Sequence, residues 1–261
     1  MASGLPGPGL DLEGVLASQG SAVDGKRAER AFFTGMATLL TVTVFAGFAR
    51  TYYLRPLVGA TSPAPPTLTP LIHVHGLLFS AWMALLVVQV RLVAAGRIGL
   101  HRRLGLAGAA VAALMVGVGT LTALHGVVRG VSPGGLDPRR FLAVPLFAVV
   151  VFAILVGAGI RARRDPQSHK RLLTLATVAL LPPALARWVI VYLGFGPPAV
   201  LALGTLFVIP LVAWDLVTRG RLHPATLWGG LLVIASGPLR IAVAFTDGWL
   251  AFAEWAVALV R

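Results

Sequence analysis

The feature that most constrains this chain is a series of long apolar blocks, separated by short segments that hold most of the charged residues. A helix needs about twenty consecutive apolar residues to cross the hydrocarbon core of a bilayer. Blocks of about that length cover residues 31–48, 71–90, 104–124, 141–160, 172–193, 199–217 and 231–245. The pattern predicts an all-α, polytopic membrane bundle of seven transmembrane helices.

The composition points to the same class. Only 12% of the 261 residues are charged, about half of the share that is usual in soluble domains, and the mean hydropathy is +0.86. The chain has no cysteine, which excludes disulfide scaffolds, iron–sulfur clusters and thiolate zinc sites. It also has no P-loop, GxSxG or HExxH motif, so no motif indicates an enzyme.

The two ends of the chain lie outside the apolar blocks. Residues 1–25 are rich in Gly, Pro, Ser and acidic residues, and we expect them to form a disordered tail before a membrane domain over residues 26–261. Residues 229–261 as a single helix would be about 49 Å long, which exceeds one crossing. We therefore expect a separate short helix over residues 248–260, capped by Asp247.

The basic residues predict the orientation of the chain. With the N-terminus in the cytoplasm, fourteen Lys and Arg residues fall on the cytoplasmic side and six on the outer side, in agreement with the positive-inside rule. The net charge of +13 then reflects membrane topology and attraction to anionic lipid headgroups. It does not indicate a nucleic-acid partner, because the basic residues lie in the gaps between the apolar blocks.

Six histidines fall at the ends of the predicted helices. His73, His75 and His125 come out at the outer boundary, and His101, His169 and His223 come out at the inner boundary. Imidazole is the usual protein ligand of haem iron and a common ligand of other metal ions. We take His75, His101, His125 and His169 as candidate ligands of haem b, and His75, His101 and His169 as candidate ligands of a metal ion.

The spacing of the histidines limits how they can pair. His73 and His75 point about 200° away from each other on a helix, so only one of them faces the bundle interior. His101 and His125 are about 36 Å apart along one helix. The alternative interpretation is that the histidines anchor the helix ends among the lipid headgroups.

Ionisable residues within the predicted spans form a second candidate site, because charges in a membrane are costly and usually functional. Arg187 and Asp247 come out at similar depth, which suggests an ion pair. Arg240 and Asp247 are seven residues apart and share a helix face. Asp215 can pair with Arg219, four residues later. Arg187 and Arg240 either clamp neighbouring helices together or bind an anionic substrate.

Four segments carry a resemblance to known proteins: HVHG at 73–76, GLHRRLG at 99–105, SHKRL at 168–172 and RGRLHP at 219–224. The chain resembles a group of bacterial multi-pass integral membrane proteins of uncharacterised function. More distantly, it is similar to His-bearing families related to the b-type transmembrane cytochromes, in which a His before a Leu-Gly step is a haem ligand. The resemblance implies a protein of the bacterial inner membrane in which His101 ligates haem, with His75 and His169 as further candidates.

Three functions stay open at this point. The first is a redox membrane protein, in which haem b or a metal ion transfers electrons with a quinone or another redox partner. The second is a transporter or a lipid- or anion-binding protein built around Arg187 and Arg240. The third is a non-catalytic assembly subunit. We favour the first, because histidines at both faces on different helices are harder to explain by topology than buried arginines are.

Overall fold

A computed structural model describes residues 12–59, 67–132, 136–193 and 197–261 of the chain. Every regular element in these ranges is a helix, which confirms the all-α class. Six of the helical segments are long and apolar enough to cross a membrane, which fits the predicted multi-pass membrane bundle. Helix α1 begins at Leu12, within the segment predicted to be a disordered tail, and residues 1–11 of that segment lie outside the described ranges.

The membrane helices follow one another with short connections. They are α1 (Leu12–Phe48), α3 (Pro70–Ala94), α4 (Ile98–Val128), α6 (Ala143–Arg161), α7 (Pro166–Ala179) continued by α8 (Pro182–Ala186), and α11 (Pro224–Ala244). Two helices of four residues, α2 (Arg55–Val58) and α5 (Pro138–Phe141), lie between them. Two π-helical segments, Ala49–Tyr53 and Arg187–Tyr192, extend α1 and α8.

The seventh predicted span, residues 199–217, is not a single helix. It consists of α9 (Pro197–Leu206) and α10 (Ile209–Arg219), of ten and eleven residues. At 1.5 Å per residue neither can cross a hydrocarbon core of about 30 Å alone. Pro210 lies in the first turn of α10, where its missing N–H and its ring interrupt a continuous helix.

Local sequence signals determine where the other helices begin and end. Thr69 and Asp165 cap α3 and α7 with their side chains, and a proline follows each of them at the first helical position, where its missing N–H costs nothing. Gly96, Gly130 and Gly220 follow the ends of α3, α4 and α10 with φ angles of 72°, 64° and 65°. Only glycine adopts this left-handed conformation without strain.

The alternation of these helices defines two faces of the bundle. We call the N-terminal face the end where α3, α6 and α10 finish and where α4, α7 and α11 start. The C-terminal face is the opposite end, where α12 (Asp247–Ala258) lies.

The core lies where α6 and α7 pack between the other helices. Phe152, Leu175 and Leu181 have almost no exposed surface, and the indole N–H of Trp82 donates to the Thr177 hydroxyl at 3.1 Å in the interior. Large apolar side chains also face outward along the helices, as a lipid environment requires; they include Leu106, Val150 and Val217. The bundle is therefore apolar on both its inner and its outer surface.

A separate short helix, α12, covers the C-terminal face. Trp249 is buried against Leu124 and Leu142, which belong to α4 and to the start of α6. The N-cap of α12 is Thr246, whose hydroxyl accepts the N–H of Trp249 at 3.2 Å. The cap is therefore not Asp247, as the sequence suggested. Asp247 is the first helical residue instead, where a carboxylate interacts favourably with the helix dipole.

Candidate functional site

Two of the predicted ligands, His101 and His169, meet at the N-terminal face. Their ring centroids are 6.4 Å apart and the ring planes are nearly perpendicular, at 87°. The Nδ1 atom of His169 lies 2.8 Å from the carbonyl oxygen of Gly159. Because a carbonyl only accepts, Nδ1 of His169 carries a proton, and the neutral tautomer that matches this contact has its lone pair on Nε2. The Nδ1 atom of His101 is buried and has no hydrogen-bond partner.

His101 and His169 lie at the same depth below the N-terminal face, because each is near the start of its helix. His101 is the fourth residue of α4 and His169 is the fourth residue of α7. The carboxylate of Asp165 accepts the N–H of Gln167 at 2.9 Å and so holds the first turn of α7. Both rings therefore stand one turn inside the bundle at the N-terminal face.

A glutamine that the sequence analysis did not single out adjoins this pair. The Oε1 atom of Gln89, near the end of α3, is buried without a hydrogen-bond partner. A Cβ atom at Gly105, one turn after His101, would lie 3.9 Å from the Gln89 amide nitrogen. The sequence could have pointed to Gln89, because it is an amide within the apolar block 71–90 and buried amides need hydrogen-bond partners.

The other predicted ligands lie at the C-terminal face and do not meet in the same way. His75 stacks on Phe79 of its own helix, with centroids 4.1 Å apart, and its Nδ1 is buried without a partner. His73 is exposed and lies near the Tyr52 hydroxyl. His125, near the end of α4, is half-buried. Among the described residues, His101 and His169 form the one ring contact between two histidines.

The described His, Cys, Asp and Glu side chains do not form a metal site of their own. No group of three or more His, Cys, Asp or Glu side chains in the described ranges is close enough to bind an ion. His75, His101 and His169 are therefore not gathered around one point. The His101–His169 pair supplies two imidazoles, which suits a metal that arrives with its remaining ligands already in place.

Asp215 forms a buried ion pair, but its partner is Arg171 and not Arg219. Its Oδ1 accepts from Nε and Nη2 of Arg171 at 3.0 and 2.5 Å, and the side chains are 0% and 1% exposed. Its Oδ2 accepts the backbone N–H of His223 at 3.0 Å. Arg219, in the last turn of α10, is exposed. The pair therefore fastens α7, α10 and the start of α11 together.

His223 takes part in this fastening as a helix cap. Its ring Nδ1 accepts the N–H of Ala225 at 3.1 Å and so caps α11. Burial lowers the pKa of His223, and the Arg171 and Arg219 cations lower that pKa further, against the opposing effect of Asp215. A lowered pKa keeps the ring neutral, which leaves Nδ1 able to accept a hydrogen bond.

More polar contacts extend from Arg171 to α1. Its Nη1 donates to the backbone and side-chain oxygens of Gln167 at 3.0 and 2.6 Å. The Gln167 amide in turn donates to Glu29 at 3.0 Å, and Glu29 forms an ion pair with Lys170. This network holds α1 against α7 at the N-terminal face.

The intramembrane arginines differ in their surroundings, and neither of them pairs with Asp247. Arg187 donates from Nε to the Thr51 hydroxyl at 2.9 Å and from Nη1 to the Pro183 carbonyl at 2.7 Å. Asp247 is exposed, and the break after Ala244 removes the continuous helix face that was to align it with Arg240. Arg240 is 4% exposed and lines a cavity of about 290 Å³.

Comparison of the chain with protein-family models, with curated proteins and with solved structures finds no match.

Proposed function

We propose that this protein is an electron carrier of the bacterial inner membrane, in which His101 and His169 would hold the iron of one b-type haem. The observation that carries the proposal is the 6.4 Å separation of the two ring centroids on different helices. A metal–imidazole bond is about 2 Å long and the ring centre lies about 1 Å behind the nitrogen, so two imidazoles on opposite sides of one metal have centroids roughly 6 Å apart.

The protonation of His169 supports the same role. Its Nδ1–H is committed to the Gly159 carbonyl, which fixes the ring orientation and leaves Nε2 as the free donor atom. Metal-binding histidines usually have this type of second contact, because it holds the tautomer that ligation needs. On the other ring, the buried Nδ1 of His101 has no partner in the protein.

The surroundings of His101 favour a flat cofactor over a bare ion. Gly105 and Gly108 are four and seven residues after His101 and share its helix face. A Cβ atom at Gly108 would meet nothing within 4 Å, whereas one at Gly105 would lie 3.9 Å from the Gln89 amide nitrogen, so the open space lies beside Gly108. A bound haem would supply an iron that accepts and releases one electron, while His101 and His169 hold its position.

We also propose the finer topology that the sequence predicts. The pair α9 and α10 leads from the end of the Arg187–Tyr192 segment back to Asp215, which contacts Arg171 near the start of α7. This course fits a seventh, interrupted crossing. With the N-terminal face in the cytoplasm, as the basic residues indicate, the haem would exchange electrons with a redox partner or a quinone near the cytoplasmic surface.

The test is an absorbance spectrum of the purified protein, produced with added haem precursor, first air-oxidised and then reduced with dithionite. We expect a Soret band that sharpens and shifts on reduction, at close to one haem per chain. His101→Ala and His169→Ala should each lose most of the bound haem. The matched control is His125→Ala, which removes a histidine from the same helix about 36 Å from His101 and should retain the haem.

Two results would overturn the proposal. The first is a folded wild-type protein that stays colourless even after titration with haemin. The second is a His101→Ala or His169→Ala protein with unchanged haem content and spectrum. If an alanine variant does not fold, His101→Met keeps a side chain of similar bulk and is expected to shift the reduced spectrum, because the axial ligand changes.

A further inference from the structure

Arg240 is a buried cation whose hydrogen bonds are all made within its own helix. Its Nε donates to the Ser236 carbonyl and its Nη2 to the Ser236 hydroxyl, both at 2.9 Å. The Ser236 hydroxyl donates in turn to the Val233 carbonyl at 2.7 Å, which orients its lone pairs toward Arg240. The third guanidinium nitrogen, Nη1, is buried without any partner.

No carboxylate neutralises this charge in the part of the chain that the structure describes. Its four ion pairs use Arg139, twice, and Lys170 and Arg171 as the cations. The sequence holds nine acidic residues. All but Asp11 and Glu13 have described side chains, and those two precede the first span, which begins at Asp24.

An unpaired guanidinium at this depth is costly. Arginine does not lose its proton in proteins, so it cannot escape the cost of burial by becoming neutral. Leaving a buried charge without its counter-ion is strongly destabilising. Ionisable residues kept within membrane helices are therefore usually functional and have a partner.

A cavity next to Arg240 offers space for such a partner. Its volume is about 290 Å³ and it lies between α7, α9 and α11, where Val178, Leu231, Ile234, Gly237 and Pro238 line it with Arg240. Its size is near the lower end of the range for small-molecule sites. Arg240 provides the one charge in this lining, and the remaining wall is almost entirely apolar.

Thr205 is the other residue of this lining with a polar side chain, and Pro238 affects the backbone beside it. A proline has no N–H, so it cannot donate to the carbonyl four residues earlier, which is that of Ile234. Ile234 and Pro238 both line the cavity. A carbonyl only accepts hydrogen bonds and so offers nothing to an oxyanion, which leaves Arg240 as the cationic donor of this lining.

We propose that this cavity binds the oxyanion head group of a membrane amphiphile, with the head group on Arg240 and the acyl chain along the apolar wall. The location favours an amphiphile over a small soluble anion. Arg240 lies four residues before the end of α11, about 6 Å below the C-terminal face, where lipid head groups meet the hydrocarbon region. An anion that arrives with its own acyl chain also buries apolar surface there.

The experiment measures binding of oleate to the protein in nanodiscs of phosphatidylcholine, with oleate labelled with ¹³C at its carboxyl carbon. We expect a saturable site at which the carboxyl signal stays that of the ionised form to a lower pH than in free oleate, because the guanidinium stabilises the carboxylate. Oleyl alcohol has the same chain without the charge and should compete at least tenfold more weakly. This comparison needs no substitution.

Variants then assign the site to one residue. Arg240→Gln should weaken oleate binding at least tenfold, whereas Arg240→Lys, which keeps the charge, should lose less. The matched control is Arg187→Gln, which removes another arginine within a candidate membrane span and should leave oleate binding unchanged. Equal binding by wild type and a folded Arg240→Gln protein would overturn the proposal, as would equal binding of oleate and oleyl alcohol.

Further ligands separate the sources of the oxyanion. Phosphatidylglycerol that displaces oleate at a comparable concentration would assign the site to a phospholipid head group and keep the proposal. If unlabelled oleate displaces the labelled oleate and phosphatidylglycerol does not, the site is assigned to a fatty acid. Inorganic phosphate that binds as tightly as oleate and depends on Arg240 would contradict it, because the apolar wall would then contribute nothing.

Discussion

Replacing Asp215 by Asn tests whether the buried ion pair holds three helices together. The substitution keeps the shape of the side chain and removes its charge. In the native protein Oδ1 accepts from the Arg171 guanidinium and Oδ2 accepts from the backbone N–H of His223. An asparagine has one oxygen for these two positions, so its NH₂ group must face one of the donors.

The expected cost follows from the burial of both partners. The Arg171 side chain is 1% exposed, so water cannot replace the lost carboxylate. Breaking a buried pair by removing one charge costs about 3–5 kcal/mol. The equilibrium constant for unfolding should therefore rise roughly 10²- to 10⁴-fold, since each 1.4 kcal/mol is a factor of ten.

The assay is equilibrium unfolding in mixed micelles with an increasing fraction of sodium dodecyl sulfate, followed by the fluorescence of the six tryptophans. The matched control is Glu29→Gln. It breaks the Glu29–Lys170 pair at the same face, where the side chains are 30% and 21% exposed, and we expect a loss of at most about 1 kcal/mol. The double variant Arg171→Met with Asp215→Leu should be more stable than Asp215→Asn, because it leaves no unpaired charge.

The reasoning is refuted if Asp215→Asn loses no more stability than Glu29→Gln. It also fails if the double variant is as unstable as Asp215→Asn, because the cost would then come from packing and not from the uncompensated charge.

Two further predictions concern backbone contacts and pH. Gly47→Ala should destabilise the bundle by about 1–3 kcal/mol, because the new Cβ would lie 2.7 Å from the Ala184 carbonyl oxygen. Gly35→Ala, whose new Cβ would meet nothing within 4 Å, should instead stabilise the protein by up to about 1 kcal/mol through helix propensity. Unfolding curves that place both variants on the same side of the wild type would contradict this prediction. The hydrogen bond from Ser168 and the backbone N–H groups at the start of α7 hold the pKa of Asp165 below its usual 3.8. As the pH falls, the unfolded chain therefore binds the proton at Asp165 before the folded protein does. The wild type should be more stable than Asp165→Asn at neutral pH, and this difference in stability should disappear as the pH drops below about 4. A stability difference that is constant from pH 7 to pH 3 would rule this out.

Much of the fold was predictable because helix length, apolarity and termini are local properties. The apolar blocks identified the six segments that are long and apolar enough to cross a membrane in the structure. The break between α9 and α10 was less accessible. Pro210 was visible in the sequence, but a proline can kink a helix or end it, and a hydropathy block does not distinguish the two outcomes.

The arrangement of the candidate site was also predictable only in part. The level of His101 and His169 follows from their positions at the first turns of two helices that start at the same face. The contact between these two rings was not predictable, and neither was the stacking of His75 on Phe79. Both depend on how each helix is rotated and on which helices it packs against, and hydropathy does not encode either.

The sequence by itself determined the all-α class of this protein and the approximate extent of most of its long apolar helices, because these depend on residues close together in the chain. Only the tertiary structure decided which charges are neutralised. Asp215 pairs with Arg171, 44 residues away, and not with Arg219 four residues away, while Arg240 finds no carboxylate among the described residues. Partner choice depends on which helix faces meet in the packed bundle, and a buried charge is satisfied only by a group that this packing brings within hydrogen-bond distance.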